Sequence, residues 1–106
     1  MSASPIPTSS DLQRVVDLVV EAVQPLRIVL FGSVARGEDH SYSDIDMMVV
    51  VPDGVRRLDV GKQLYDLGIP GVEFLVTTPA LYARRKADAG LVYRDVERDG
   101  RELYAA

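Results

Sequence analysis

The stretch Arg27–Val50, RIVLFGSVARGEDHSYSDIDMMVV, decides how the chain is read. Two short apolar runs bracket a polar arch. The first, Arg27–Phe31, is rich in branched residues and closed by Gly32, so it is expected to be a buried strand. The second, Asp44–Val51, is expected to be another strand, ended by the turn residues Pro52, Asp53 and Gly54. Between them, Ser33–Gly37 fits a short helical turn and Glu38–Tyr42 a polar loop. Two aspartates, Asp44 and Asp46, open a strand whose remainder belongs in a core. Side chains alternate along a strand, so both carboxylates point to one side while Ile45 points to the other. At a rise of about 3.3 Å per residue their backbones sit roughly 7 Å apart, and their oxygens can converge on one or two hard cations.

Working outward from this stretch, the upstream segment predicts a helix. Ser9 or Ser10 can cap it, with the helix beginning near Asp11. Leu12, Val15, Val16, Val19, Val20 and Val23 fall on one stripe at helical spacing, and Pro25 ends it. Before it, residues 1–8 carry two prolines and small polar residues and are expected to be a flexible arm. Downstream, a helix is expected over Val55–Leu67 with Leu58, Leu64 and Leu67 facing inward. Gly68–Gly71 is a turn, and Val72–Thr78 a third strand. Thr78 followed by Pro79 marks a helix start by capping and by proline at the first helical position. The remainder predicts one or two helices and a short terminal strand at Glu102–Tyr104. The elements add up to an α/β (α+β) fold, a small mixed sheet flanked by helices, in a single domain over residues 9–106.

Composition narrows the function. A chain of 106 residues holds one core, and 47% hydrophobic with 26% charged residues is a globular composition. A net charge of −4 argues against an extended nucleic-acid surface. The trio Arg84, Arg85 and Lys86 is read as a solvated helix face. With no cysteine there is neither a disulfide nor a thiolate metal site. Neither a signal peptide nor a membrane-length apolar run is present, so a cytoplasmic location is expected, with no membrane partner.

A cation site on Asp44 and Asp46 calls for a phosphate holder. Gly32-Ser33 sits just after a strand and before a short helix, where backbone N–H groups are available and glycine allows close approach. The Ser33 hydroxyl adds a donor. Arg36 either contacts phosphate or fixes the loop through hydrogen bonds. Each element alone is weak, because a Gly-Ser is usually a turn and an Asp-x-Asp is common. At fixed spacing the combination arises by chance in roughly 0.1–0.2% of chains this long. A phosphate cradle one loop away from metal-binding carboxylates implies a nucleoside triphosphate substrate.

Gly32-Ser33, ten residues, then Asp44-Ile45-Asp46 resembles the signature of the nucleotidyltransferase superfamily that includes DNA polymerase β. The fuller string GSVARGEDHSYSDID is similar to its minimal members, the MNT domains that pair with HEPN-domain toxins in prokaryotic toxin–antitoxin modules. The segment VEFLVTT and the closing GLVYRDVERDGRELY also look like that family. The resemblance implies a palm fold in which three carboxylates hold two magnesium ions, with ATP as substrate. Two are Asp44 and Asp46, and the position matching the third is Glu73; the alternative for Glu73 is a surface residue on an edge strand, but its place between Val72 and Phe74 in an otherwise apolar strand favours a site. The family normally has an aspartate there. Glutamate keeps the charge but adds a methylene and a torsion, so a metal distance near 2 Å needs some rearrangement. The resemblance further implies AMP transfer to a tyrosine hydroxyl of a HEPN toxin, silencing it. Alternatives are an antitoxin that neutralises its partner by binding alone, and transfer to a small molecule such as an aminoglycoside. A homo- or hetero-oligomer is compatible with each.

The remaining polar and aromatic residues carry less. His40, Glu38 and Asp39 are expected at the surface. Tyr42 either stacks near the nucleotide or caps the core. Tyr65, Tyr82, Tyr93 and Tyr104 are assigned to the core or a partner interface.

Overall fold

The computed structural model describes residues 9–32, 45–87 and 91–106. The arm at residues 1–8 and the expected turn and loop between Ser33 and Tyr42 lie outside them, as do His40, Glu38, Asp39 and Tyr42. The elements run α1 (Ser9–Val23), β1 (Arg27–Phe31), β2 (Ile45–Val50), α2 (Arg57–Asp66), β3 (Val72–Thr77), α3 (Pro79–Ala87), α4 (Leu91–Asp99) and β4 (Arg101–Ala105). They form a four-stranded sheet in the order β3-β2-β1-β4. β1 pairs antiparallel with both β2 and β4, whereas β2 and β3 are parallel. The sheet is therefore mixed, and α2 is the crossover that a parallel pair requires.

Strand alternation divides the core between the two faces of the sheet. On one face Ile28, Leu30, Met47, Val49 and Val76 meet Leu12, Val15, Val16 and Val19 of α1 and Val60 and Leu64 of α2. On the other, Val29, Met48 and Val50 pack under Tyr93 and Val96 of α4. Here Thr77, fully buried, accepts a hydrogen bond on its Oγ1 from the Tyr93 hydroxyl at 3.1 Å. Tyr82 of α3 meets Tyr93 edge-on at 5.4 Å between ring centres, and its hydroxyl donates to Glu97. Burial, then that bond, pushes the Tyr82 hydroxyl up to about 12, while the Tyr82 and Lys86 hydrogen bonds hold Glu97 below the usual carboxylate range.

The local signals largely hold. The α1 stripe is buried as spaced, β1 has the expected bounds, and α3 starts at Pro79 with Thr78 Oγ1 accepting from the Leu81 N–H at 3.2 Å. Asp53 adds a second cap, accepting from Ala80 N–H at 3.1 Å. Arg84 and Arg85 are exposed in the last turn of α3, where cations suit the helix dipole, and Lys86 pairs with Glu97 at 3.0 Å.

Several expectations are corrected. α1 begins at Ser9, two residues before the expected start near Asp11. α2 begins at Arg57, two residues later than expected, and its inward stripe is Val60 and Leu64. Leu58 precedes Val60 by two residues, about 200° around the helix, and is 83% exposed. Tyr65 is 85% exposed and so is no core residue, whereas Tyr93 is buried. No helix among the described residues is long and apolar enough to cross a membrane.

The two leucines of α2 give a direct contrast. Leu64→Ala is expected to cost about 2–5 kcal/mol in urea denaturation and Leu58→Ala less than about 0.5 kcal/mol. Equal costs would place the inward stripe of α2 wrongly.

Candidate functional site

The α4 side of the sheet is made of three rows that cross β1, β2 and β3. The pairing sets Phe31 opposite Asp46 and Asp46 opposite Glu73, which makes the first row. Val29, Met48 and Leu75 make the second, and Val50 and Thr77 lie in the third. Val96 and Tyr93 of α4 cover the second and third rows. The first row is less covered, with Phe31 and Asp46 half-buried and Glu73 exposed.

Parallel neighbours in register lie about 4.8 Å apart and point the same way, so Asp46 and Glu73 are side by side on one face. Two carboxylates so placed repel each other, and a cation between them relieves the repulsion. Their donor set, oxygen alone, fits a hard divalent ion such as magnesium rather than a soft one. Among the described residues there is no group of three such ligands. Asp44, the expected partner, lies outside the described residues, as do Ser33 and Arg36.

Gly32 joins the end of β1 to this pair. Its φ of +82° is a left-handed backbone that disfavours a side chain. A Cβ there would also run into Asp46 Oδ2, with Asp46 Cγ at 3.3 Å and Cβ at 3.5 Å. The sequence assigned Gly32 to phosphate approach. The structure adds a second reason: the Asp46 carboxylate occupies the space a side chain would need. Gly32, Asp46 and Glu73 thus come together at one end of three strands.

Two residues here escaped the sequence reading. A cleft of about 240 Å³ beside the carboxylates is lined by Phe31, Asp46, Glu73, Phe74 and Leu75. Phe31 and Leu75 look like ordinary core positions in their strands, and only the cross-strand register brings them beside Asp46 and Glu73. A larger groove of about 610 Å³, lined by Leu64, Tyr65, Ile69, Pro70, Val72 and Phe74 among others, belongs to α2 and the opposite face.

The sequence profile of the nucleotidyltransferase domain family matches residues 12–102, from α1 into β4. The chain belongs to the nucleotidyltransferase family. The match bears out the resemblance to the nucleotidyltransferase superfamily and the enzyme class read from the sequence. Solved structures share the nucleotidyltransferase fold. One is a protein from Sulfolobus solfataricus described as a nucleotidyltransferase, at 21% identity and a TM-score of 0.62, covering 89% of this chain and 77% of that one. Another is a toxin–antitoxin complex with AMP-PNP, at 22% identity and a TM-score of 0.58, covering 89% and 73%. A third is a mutant MntA-HpeT toxin–antitoxin, at 19% identity and a TM-score of 0.60, again covering 89% and 73%. No curated protein matches the chain.

In this nucleotidyltransferase the demand on Gly32 can be separated from the general effect of adding a methyl group. Gly32→Ala is expected to lose at least about 1–2 kcal/mol of stability in urea denaturation. Gly61→Ala, inside α2 with nothing within 4 Å of the added Cβ, should be neutral or stabilising by up to about 1 kcal/mol. A neutral Gly32→Ala would show that the turn and Asp46 do not constrain that position.

Proposed function

We propose that the protein transfers AMP from magnesium-ATP to a hydroxyl of a partner protein in the cytoplasm, and that it serves as an antitoxin. The partner is a HEPN-domain toxin and the acceptor a tyrosine hydroxyl, as the sequence resemblance implies. One observation carries the reading: Glu73 stands in register with Asp46 on the same face, where a third metal-binding carboxylate is needed. Support for the partner class comes from the toxin–antitoxin complexes that share the fold, one of them holding AMP-PNP.

The chain's own residues divide the work. Asp44, Asp46 and Glu73 would hold two magnesium ions, and Gly32, Ser33 and Arg36 would hold the triphosphate. Bound magnesium supplies charge stabilisation to the attacking and leaving oxygens of an in-line displacement. Glu73 accepts the proton of the attacking hydroxyl. The new bond joins that oxygen to the α-phosphorus, the α–β bridge breaks, and pyrophosphate leaves. Glu73 is exposed on the edge strand β3, so a hydroxyl carried by a second macromolecule has access to it. The longer glutamate arm suits this position because its extra torsion lets the carboxylate adjust towards Asp46.

Incubation with a HEPN-domain partner protein and ATP labelled at the α-phosphate tests the reading. Label is expected on the partner, with Asp46→Asn and Glu73→Gln lowering the rate by roughly 10²-fold or more while circular dichroism stays native. Transfer of γ-label instead, or undiminished transfer by Asp46→Asn, would overturn it.

A further inference from the structure

We propose that the outward face of α2 is a self-association surface, on which a second copy of this chain packs its own α2 antiparallel, with Gly61 at the crossing. The inference goes beyond the transfer reading and uses none of its residues. Leu58 and Tyr65 are the two most exposed large apolar side chains among the described residues. Seven residues separate them, about 20° short of two full turns, so both lie on one outward stripe, away from buried Val60 and Leu64. Gly61 lies between them, and a Cβ added there would meet nothing within 4 Å. Glycine is among the poorest residues for a helix interior, and no close contact within the chain calls for it here. What it provides is room for another backbone to come near. The groove that Gly61 and Tyr65 line with Ile69 and Pro70 continues the apolar surface, so the stripe belongs to a patch rather than to scattered residues.

The patch is complementary to itself. In an antiparallel pair with its two-fold axis beside Gly61, position 58 of one copy stands level with position 65 of the other. Leu58 therefore meets Tyr65 at both ends, and the two glycines lie next to the axis where the helices are closest. Charge selects this direction. Asp59, Lys62 and Asp66 flank the stripe on one side, and Asp59 is held only loosely by exposed Arg56, at 3.7 Å. Antiparallel packing brings Lys62 of each copy within about 3 Å, along the axis, of Asp59 of the other. Parallel packing in register would set Asp59 on Asp59, Lys62 on Lys62 and Asp66 on Asp66, each a repulsion. Because the same patch serves both copies, the assembly closes at two chains.

Sedimentation equilibrium of the full chain, from roughly micromolar to millimolar concentration, tests the surface. The mass is expected to rise from one chain towards two and no further. Gly61→Gln, whose side chain enters open space in a single chain, should leave the thermal melt of the dilute protein native and weaken association roughly tenfold or more. Leu58→Ala, on the same exposed face, should weaken it about threefold or more and decides the case if Gly61→Gln does not fold. Because the sequence has no cysteine, disulfide trapping reads the direction of packing. An equal mixture of Leu58→Cys and Tyr65→Cys chains, mildly oxidised, should give the mixed dimer in about tenfold excess over either like pair, since like positions lie about 10 Å apart along the axis, beyond disulfide reach. A chain that stays single at every concentration, association unchanged in folded Gly61→Gln, or like pairs trapped as readily as the mixed pair would each overturn the proposal. So would a chain that stays single yet loses affinity for a HEPN-domain protein on Gly61→Gln, which would assign the face to that partner.

Discussion

The parallel ladder between β2 and β3 sets Asp46 beside Glu73, and the same ladder sets Val49 beside Val76 and Met47 beside Phe74. Alternate pairs therefore build the core and the site. A slip of one residue would turn every β3 side chain over, carrying Glu73 towards the α1 and α2 core and Phe74 to the open face. Burying a carboxylate against Leu64 and Val60 is costly, so the apolar pattern itself enforces the register that the site needs. Parallel strands also cannot be joined by a tight turn. The crossover helix α2, anchored by Val60 and Leu64, is thus part of what places Glu73.

The same face shows where the protein neutralises charge within its own fold. Tyr93 closes over buried Thr77, Tyr82 leans edge-on against Tyr93, and Glu97 receives both the Tyr82 hydroxyl and Lys86. A carboxylate that meets a cation and a hydroxyl donor is held ionised, and Glu97 is shifted in that direction. At the first row two carboxylates from neighbouring strands are set side by side. Such a pair fits the proposed cation site, and Glu73 is exposed there.

Much of this was legible in the sequence because local signals were strong. RIVLF had the branched composition and glycine stop of a buried strand, Thr78-Pro79 marked a helix start, and the α1 valines kept one stripe. Parity alone put Asp46 on the face away from Ile45. Other features depended on information no local window holds. The inward face of α2 turns on helical phase, and a late start at Arg57 sends Leu58 to solvent and Val60 to the core. The second demand on Gly32 comes from Asp46, fourteen positions along the chain. Phe31 and Leu75 join the site only through the pairing of three strands. Glu73 lay between these cases: family resemblance named it, and the cross-strand register put it beside Asp46.

Anomalous diffraction from crystals grown with manganese and a non-hydrolysable ATP analogue addresses this pairing most directly. A manganese peak within roughly 2.0–2.6 Å of carboxylate oxygens from both Asp46 and Glu73 is the predicted result. A peak held by Asp46 with Glu73 turned to solvent, or no peak beside either residue, would contradict it.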